Sequence, residues 1–314
     1  MKLRPLLAAL VAGLALFSGA LAENAAPTPA IEELKTLTAK VREKMKAGRP
    51  TAETLVPELA EFDALLAKYP EKNDVTGQIA LTRATLHLQV LREEAKGKEL
   101  LLAVQKDFAG TRAAAAAGHL LEQRTPEGKA KAAAEKAERE AKLTALAGQP
   151  APELHFSWSS REGLKTLSAL KGQVVVLDFW ATWCGPCIAS FPQVRKHVAH
   201  FKGAPVTFLG VTSLQGYVAN LGPSIDTKGD PAKEMALMTD FMKAKDMTWA
   251  VAFSEERVFN PDYGIKGIPF VAIIAPDGTL RHTGLHPGSP TADIAGKVEA
   301  ILKEFKLPLP AAKS

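Results

Sequence analysis

The chain has 314 residues, of which 39 are Lys or Arg and 34 are Asp or Glu, for a formal net charge of +5 at pH 7. So small a positive balance, without a basic run interleaved with aromatic residues, does not indicate nucleic-acid binding. The chain has only two cysteines, which excludes the class of small exported domains held together by several disulfides.

Residues 1–22 predict a cleaved signal peptide. Lys2 and Arg4 form a basic start, residues 6–17 are apolar or small, and residues 20–22 (Ala-Leu-Ala) have the small-x-small form of a cleavage site. An uncleaved membrane anchor is the alternative, but the apolar run is shorter than the roughly 20 residues that span a bilayer. We therefore expect a periplasmic protein, and its remaining length predicts two domains of roughly 150 residues each.

Residues 23–29 are expected to form a leader, and residues 30–124 a helical domain. Apolar residues recur there at spacings of three and four, which predicts one buried face per helix. The stripes are Ile31, Leu34, Leu37, Val41 and Met45; Leu55, Leu59, Phe62 and Leu66; Ile79, Leu86 and Val90; and Leu101, Val104 and Phe108. Short turns between them predict antiparallel helical hairpins. Residues 95–123 resemble tetratricopeptide-like helix pairs, without a 34-residue repeat. The domain either recruits a partner, whose identity is unknown, or acts as a spacer.

Residues 125–147 predict a solvated connecting helix. Thr125 can cap it, Pro126 suits its first position, and Glu127 places an acid in its first turn. The residues that follow are strong helix formers with little apolar stripe. Residues 148–150 (Gly-Gln-Pro) are expected to end the helix and to mark the domain boundary.

Residues 148–310 predict an α/β domain. Short apolar, β-branched runs typical of buried strands lie at 174–179, 206–212 and 270–275, and a tight turn at 276–278 leads to a fourth strand at 279–283. Helical patterns fit residues 187–202, 231–245 and 291–305. The order β-α-β-α-β-β-α predicts a mixed sheet flanked by helices.

Both cysteines lie in the segment W-A-T-W-C-G-P-C, residues 180–187. A structural zinc site normally needs four ligands, and the chain has no second cysteine pair, whereas a two-cysteine copper site stays open. A purely structural disulfide would close too small a loop to stabilise much. Redox chemistry fits best, because a strand delivers Cys184 to the first turn of a helix, where unpaired N–H groups favour a thiolate. Cys187, one turn further on, would then resolve the mixed disulfide.

The run V-V-V-L-D-F-W-A-T-W-C-G-P-C, residues 174–187, resembles the active-site strand and helix of the thioredoxin superfamily. Residues 148–173 are similar to the β-hairpin extension of its TlpA/ResA-like branch, the exported thiol-disulfide oxidoreductases. The resemblance covers about residues 148–306. It implies a thioredoxin-like fold for residues 148–310 and a redox-active Cys184–Cys187 disulfide, with no cofactor and no metal.

Matching positions imply further site residues. Asp178 corresponds to a buried acid that passes a proton to and from the resolving thiol, since burial raises the pKa of a carboxyl towards neutrality. Pro269 corresponds to a cis-proline opposite the cysteines, which would turn the preceding backbone towards an extended substrate. Pro192 matches a helix kink. The residues expected to contact the substrate are Trp183, Gly185, Pro186 and Ile268.

Three positions depart from the pattern of this branch. Phe270 stands where a small hydroxyl residue usually follows the cis-proline, and Ser190 stands where many members have Glu. Some members carry an acid just after the second strand, whereas this segment (T-S-L-Q-G-Y-V, residues 212–218) has only the polar residue Gln215. The segment 213–247 is also longer than in a minimal thioredoxin, which predicts either a specificity loop or a surface insertion.

The Gly-Pro dipeptide between the cysteines is that of thioredoxin, whose potential of about −270 mV is far more reducing than the value of about −120 mV for the oxidant DsbA. The resemblance thus implies a reductant of client protein disulfides, such as those of apocytochromes, with a membrane electron-transfer protein as donor. One alternative is a partner-recruiting module whose CxxC binds copper. Another is a peroxiredoxin-type peroxidase, which Thr182 without an upstream Pro at the required spacing makes less favourable.

Overall fold

The computed structural model describes residues 28–46 and 48–311. The predicted signal peptide and residues 23–27 of the predicted leader lie outside them. Two compact units divide the chain between Glu135 and Lys136, and the domain boundaries expected from the sequence stay predictions. Among the described residues, no helix combines the length and the apolar character needed to cross a bilayer.

The first unit is helical, as predicted. Its helices are α1 (Pro29–Lys46), α2 (Val56–Lys68), α3 (Asp74–Thr85), α4 (Glu94–Asp107), α5 (Arg112–Glu122) and the first part of α6 (Pro126–Leu146). A 3-10 turn, Glu53–Leu55, precedes α2, and a π-helical turn, Leu86–Leu91, continues α3. The predicted apolar stripes form its core: one cluster joins α1, α2 and α3, and a second joins α3, α4 and α5.

Helix ends in this unit follow the capping residues of the sequence. The Thr111 hydroxyl accepts a hydrogen bond from the Ala114 N–H at 3.2 Å and caps α5. The Thr125 hydroxyl accepts from the Gly128 N–H at 2.9 Å and caps α6. None of the described residues of α6 is fully buried, in keeping with the predicted solvated helix.

The second unit contains the sheet. Its elements are β1 (Phe156–Ser159), β2 (Val174–Phe179), α7 (Gly185–His200), β3 (Val206–Thr212), β4 (Tyr217–Val218), β5 (Ile225–Asp226), α8 (Pro231–Ala244), β6 (Ala250–Ser254), β7 (Phe270–Ile274), β8 (Leu280–Leu285) and α9 (Ile294–Glu304). The four strands and three helices predicted here are confirmed, with ends shifted by up to three residues. Strands β1 and β6 and the small β4–β5 hairpin are additions that the apolar pattern did not single out.

The six-stranded sheet has the order β1-β6-β3-β2-β7-β8. Strand β2 pairs in parallel with β3 and antiparallel with β7, β3 pairs in parallel with β6, and β1 and β8 are antiparallel to their neighbours. The predicted mixed sheet is therefore confirmed. The fold is thioredoxin-like, with β2 in the middle of the sheet leading directly towards the two cysteines.

Every residue of β2 is buried, because apolar clusters cover both faces of the sheet. Val174 and Val176 face a cluster that contains both cysteines and the buried sides of α7, α8 and α9. Val175, Leu177 and Phe179 face a second cluster on the opposite side. Burial on both faces explains why β2 is a continuous run of mostly β-branched apolar residues, without the alternation of apolar and polar residues seen in a strand with one face in solvent.

Candidate active site around Cys184 and Cys187

The two cysteines form a disulfide at the start of α7. The Sγ–Sγ distance is 1.95 Å and the Cα–Cα distance is 5.3 Å. Cys184 is the N-cap residue, and its sulfur accepts a hydrogen bond from the backbone N–H of Cys187 at 3.2 Å. A donor and a helix N-terminus aimed at this sulfur stabilise negative charge on it once the disulfide is reduced.

Both cysteines are buried, but the residue that follows Cys184 is open to solvent. Cys187 is 1% exposed and Cys184 is 3% exposed. Gly185 is exposed, and apart from its chain neighbours and its own helix backbone, no described atom lies within 4 Å of where a Cβ would stand on it. Pro186 occupies the first turn of the helix, where a missing N–H costs nothing. An approaching chain can therefore reach the site over Gly185.

Asp178 lies on the cysteine side of the sheet. It alternates in phase with Val174 and Val176, whose side chains belong to the cluster that includes Cys184 and Cys187. Its carboxyl is 3% exposed, and neither oxygen has a hydrogen-bond partner among the described residues. Burial without a compensating charge or donor raises the pKa of Asp178 to about 7. This carboxyl can take up or release a proton near neutral pH.

The peptide bond between Ile268 and Pro269 is cis, as the resemblance implied. Pro269 immediately precedes β7, whose first residue, Phe270, pairs with Phe179 at the end of β2. Pro269 therefore lies beside the point where β2 runs on towards the cysteines. Ile268 and Pro269 are both half-buried, so this turn is partly open to solvent.

Aromatic rings fix the start of α7 against the sheet. Trp180 packs edge-on against Phe191 at a centroid distance of 5.4 Å, and its ring is tilted against that of Phe241 of α8 at 5.3 Å. Phe191 in turn meets Trp249 at 5.2 Å. Pro192 follows within α7, where the resemblance placed it. This packing leaves the cysteine turn little freedom to move relative to β2.

Ser190 and Phe270, two of the departures from the family pattern, are both buried. The Ser190 hydroxyl donates to the backbone carbonyl of Cys187 at 2.7 Å, and Phe270 packs against Phe179 at a ring distance of 6.1 Å. Neither side chain brings a titrating group to the cysteines. Across the described ranges, no group of three or more His, Cys, Asp or Glu side chains is arranged to hold a metal ion.

Residues 146–301 match the Redoxin family. The C-terminal half of this chain is a redoxin domain. The chain is 30% identical over 114 residues to the thiol-disulfide oxidoreductase ResA of Bacillus subtilis, a match that covers 36% of this chain and 54% of ResA. It is 26% identical over 168 residues to the thiol:disulfide interchange protein HelX of Rhodobacter capsulatus, covering 51% of this chain and 78% of HelX.

A solved thiol:disulfide interchange protein from a Bacteroides species is 20% identical to this chain. The match covers 50% of this chain and 90% of that one, with a TM-score of 0.38. The chain spans 54% and 62% of the length of two ResA relatives.

Sequence reasoning missed several residues that surround the cysteines of the redoxin domain. Trp183 was expected at the site, but its partners were not: the indole N–H donates to the Gln215 side-chain oxygen at 2.9 Å, and the ring stacks on Phe259 at 6.3 Å. Glu234 of α8 is a buried acid near this contact, 3% exposed. Its signal in the sequence is a charged residue on the same helical stripe as Met238, which is buried.

Proposed function

We propose that this protein is an exported thiol-disulfide oxidoreductase that reduces the disulfides of client proteins. The observation that carries the proposal is the Cys184–Cys187 disulfide at the N-terminus of α7, on the side of the sheet that also carries the buried Asp178 carboxyl, whose pKa is raised to about 7. The relatives ResA and HelX, a thiol-disulfide oxidoreductase and a thiol:disulfide interchange protein, support the reaction class.

In the proposed reaction, the Cys184 thiolate attacks one sulfur of a client disulfide. A mixed disulfide forms, and the other client sulfur leaves as a thiolate. The Asp178 carboxylate then accepts the proton of Cys187, whose thiolate attacks the Cys184 sulfur and expels the second client thiolate. The two electrons that reduce the client come from the Cys184–Cys187 dithiol, which ends as the disulfide seen in the structure.

Pro269 and the backbone of Ile268 are proposed to hold the client next to Cys184, with Trp183, Gly185 and Pro186 forming the rest of the contact surface. An extended client segment would pair with the Ile268 backbone as an added strand. Apocytochromes are proposed as clients, and a membrane electron-transfer protein is proposed to regenerate the dithiol. The signal-peptide pattern of residues 1–22 supports a periplasmic location.

The roles of the two cysteines can be tested with insulin as the client and dithiothreitol as the electron source. We expect Cys184→Ser to abolish catalysed insulin reduction, and Cys187→Ser to trap a mixed disulfide that survives on a non-reducing gel. If the Cys184→Ser protein forms the trapped complex and the Cys187→Ser protein turns over normally, the assignment of the two thiols is inverted.

The direction of electron flow follows from the redox potential. We expect equilibration of Cys184–Cys187 with glutathione to give a potential below about −200 mV, on the reducing side of protein disulfide isomerase. The measurement is the fraction of protein alkylated by a thiol reagent at a series of glutathione ratios. A potential near −120 mV would instead make the protein an oxidant of its clients.

A further inference from the structure

The segment between β3 and α8, residues 213–230, is hydrogen-bonded to the loop that carries Cys184. The Thr182 carbonyl accepts from the Asn220 side chain at 2.7 Å, and the Thr182 hydroxyl accepts from the Ala219 N–H at 3.2 Å. Trp183, the next residue, donates its indole N–H to Gln215 at 2.9 Å. Two consecutive residues before the catalytic cysteine are thus held by this one segment.

Gln215 has a defined orientation in this contact. Its side-chain N–H₂ donates to the Ser213 carbonyl at 2.8 Å and to the Ser213 hydroxyl at 3.1 Å. Its oxygen is therefore left facing the indole of Trp183. The Ser213 hydroxyl also accepts from the Val258 N–H at 3.1 Å, next to Phe259, on which Trp183 stacks. The indole ring of Trp183 is held by a hydrogen bond at its N–H and by Phe259 at its face.

The backbone of Gln215 is fixed in turn by Glu234, the buried acid on α8. One carboxylate oxygen accepts from the Gln215 N–H at 2.7 Å. The other accepts from the Gly216 N–H at 2.9 Å and from the Thr227 hydroxyl at 2.8 Å. Hydrogen bonds to a buried carboxylate are among the stronger ones in proteins. Thr227 follows β5, at the far end of the β4–β5 hairpin. The Glu234 side chain therefore links Gln215, which precedes the hairpin, to Thr227, which follows it.

We propose that Glu234 is a positioning residue: through Gln215 it sets the orientation of Trp183 beside Cys184, and with it the affinity for protein clients. This inference rests on the proposed function. Phe259 is 41% exposed and Trp183 is half-buried, so their stacked rings offer apolar surface to a client segment that flanks the disulfide. A small disulfide without such a segment would not use this surface. Residues 213–230 then form a specificity element and not a neutral surface insertion.

The test is Glu234→Gln in the full chain, assayed with dithiothreitol as reductant. The amide keeps the shape of the side chain but presents a donor where the carboxylate accepted two N–H groups and a hydroxyl. Loss of one charge-assisted hydrogen bond corresponds to a roughly tenfold change in affinity. We expect KM for insulin to rise by about that factor with kcat little changed, while the rate with hydroxyethyl disulfide and the glutathione-linked potential stay as in the unmodified protein.

Glu162→Gln, the same change at an exposed position of the same unit, is the matched control and should behave as the unmodified protein.

A double-mutant cycle with Trp183→Phe separates positioning from general loosening of the fold. Phenylalanine retains ring stacking but has no N–H, so Glu234→Gln should add little to its effect on insulin KM. Gln215→Leu removes the acceptor and leaves both backbone N–H bonds to Glu234 in place. It should reproduce the insulin defect even if Glu234→Gln does not fold.

Additive effects in the cycle, an equal loss on the two substrates, or an unchanged insulin KM would each overturn the role given to Glu234. An unmodified protein that reduces neither insulin nor hydroxyethyl disulfide would overturn the proposed function itself, and this inference with it. The two failures are therefore distinguishable.

Discussion

Asp178 is ionised or protonated according to small changes of pH around neutrality. Its carboxyl lies in an apolar layer without a hydrogen-bond partner among the described side chains and backbone groups, so its charged form is unfavourable. Such a group is of no use as a structural anchor, because a neutral side chain would fill the place at lower cost. Its place on the cysteine face of β2 instead suits a base that acts near pH 7.

We expect Asp178→Asn to slow the second half of the reaction. The variant should still form the mixed disulfide through Cys184, and then release the client about 10²-fold more slowly near pH 7, a loss typical of removing a positioned base. The defect should shrink at high pH, where Cys187 ionises unaided. Stopped-flow release of a labelled client peptide from pH 6 to 9 measures this.

Asp240→Asn is the matched control, since Asp240 is exposed on α8 and the same chemical change is made there. Release kinetics of Asp178→Asn that equal those of this control at every pH would mean that solvent carries the proton.

At the scale of elements, two close helix contacts in the first unit depend on glycine. A Cβ on Gly97 of α4 would clash with Leu88 Cγ and lie 2.6 Å from Leu88 Cδ2 and 3.1 Å from the Leu88 backbone nitrogen. Leu88 belongs to the π-helical turn Leu86–Leu91. On Gly77 of α3 a Cβ would lie 2.9 Å from the Ala113 Cβ. The packing of α3, α4 and α5 therefore relies on backbone surfaces without side chains.

We expect Gly97→Ala to destabilise the first unit by about 1–3 kcal/mol, the usual cost of overpacking, although alanine is favoured over glycine in a helix by roughly 1 kcal/mol. Gly118→Ala on α5 is the comparison: its Cβ would meet only the flexible end of Gln105, at 3.0 Å, so helix propensity should dominate and stability should rise or stay level. Urea unfolding of both variants followed by circular dichroism gives the two free energies. A Gly97→Ala protein as stable as Gly118→Ala would show that Leu88 yields without cost.

Elements with a strong local signal were predictable from the sequence. Helix α4 was predicted from the spacing of Leu101, Val104 and Phe108, and the start of α5 from the capping residue Thr111. Both signals are local, because helix periodicity and capping are properties of neighbouring residues. The active-site strand and the cysteine turn were predictable from their motif. Of the candidate site residues, the structure brings Cys184 and Cys187 together and places Asp178 on their side of the sheet. Their roles in catalysis stay predictions.

Features that depend on distant contacts were not predictable. Strand β6 is five residues long and owes its place to pairing with β3 and β1, which no local pattern of Ala250–Ser254 reveals. Glu234 shares a helical stripe with Met238, but no local pattern shows what its carboxylate contacts. Only the fold brings its carboxylate to the backbone of Gln215, 19 residues earlier. The stacking of Phe259 on Trp183 likewise joins segments far apart in the chain.

At the scale of the whole molecule, each unit has apolar clusters of its own, so two unfolding transitions are expected. Only the second unit contains Asp178. In its folded state this carboxyl has a pKa raised to about 7, against about 3.9 in an unfolded chain. The stabilising effect of the bound proton is complete below about pH 4, is lost as pH rises to about 7, and does not change further above that.

We therefore expect the stability difference between the unmodified protein and Asp178→Asn to shift by a few kcal/mol in favour of the variant between pH 4 and pH 7. The shift should appear in one transition only. Taking the difference cancels the other titrating groups, which are common to both proteins. Calorimetry of the oxidised proteins at several pH values measures it. A stability difference that does not vary with pH would contradict the burial of an unpaired carboxyl at Asp178. A shift that appears in both transitions would contradict the separate unfolding of the two units.

The aromatic packing around the cysteines has an optical consequence. The four tryptophans of the chain, Trp158, Trp180, Trp183 and Trp249, all come after residue 135, and each belongs to or packs against the cluster that contains both sulfurs. A disulfide quenches the emission of nearby indoles, so reduction of Cys184–Cys187 should brighten the intrinsic fluorescence. The helical unit contributes no indole signal. The protein thus carries an unlabelled reporter of its own oxidation state, which can be read in real time while it exchanges electrons with a client.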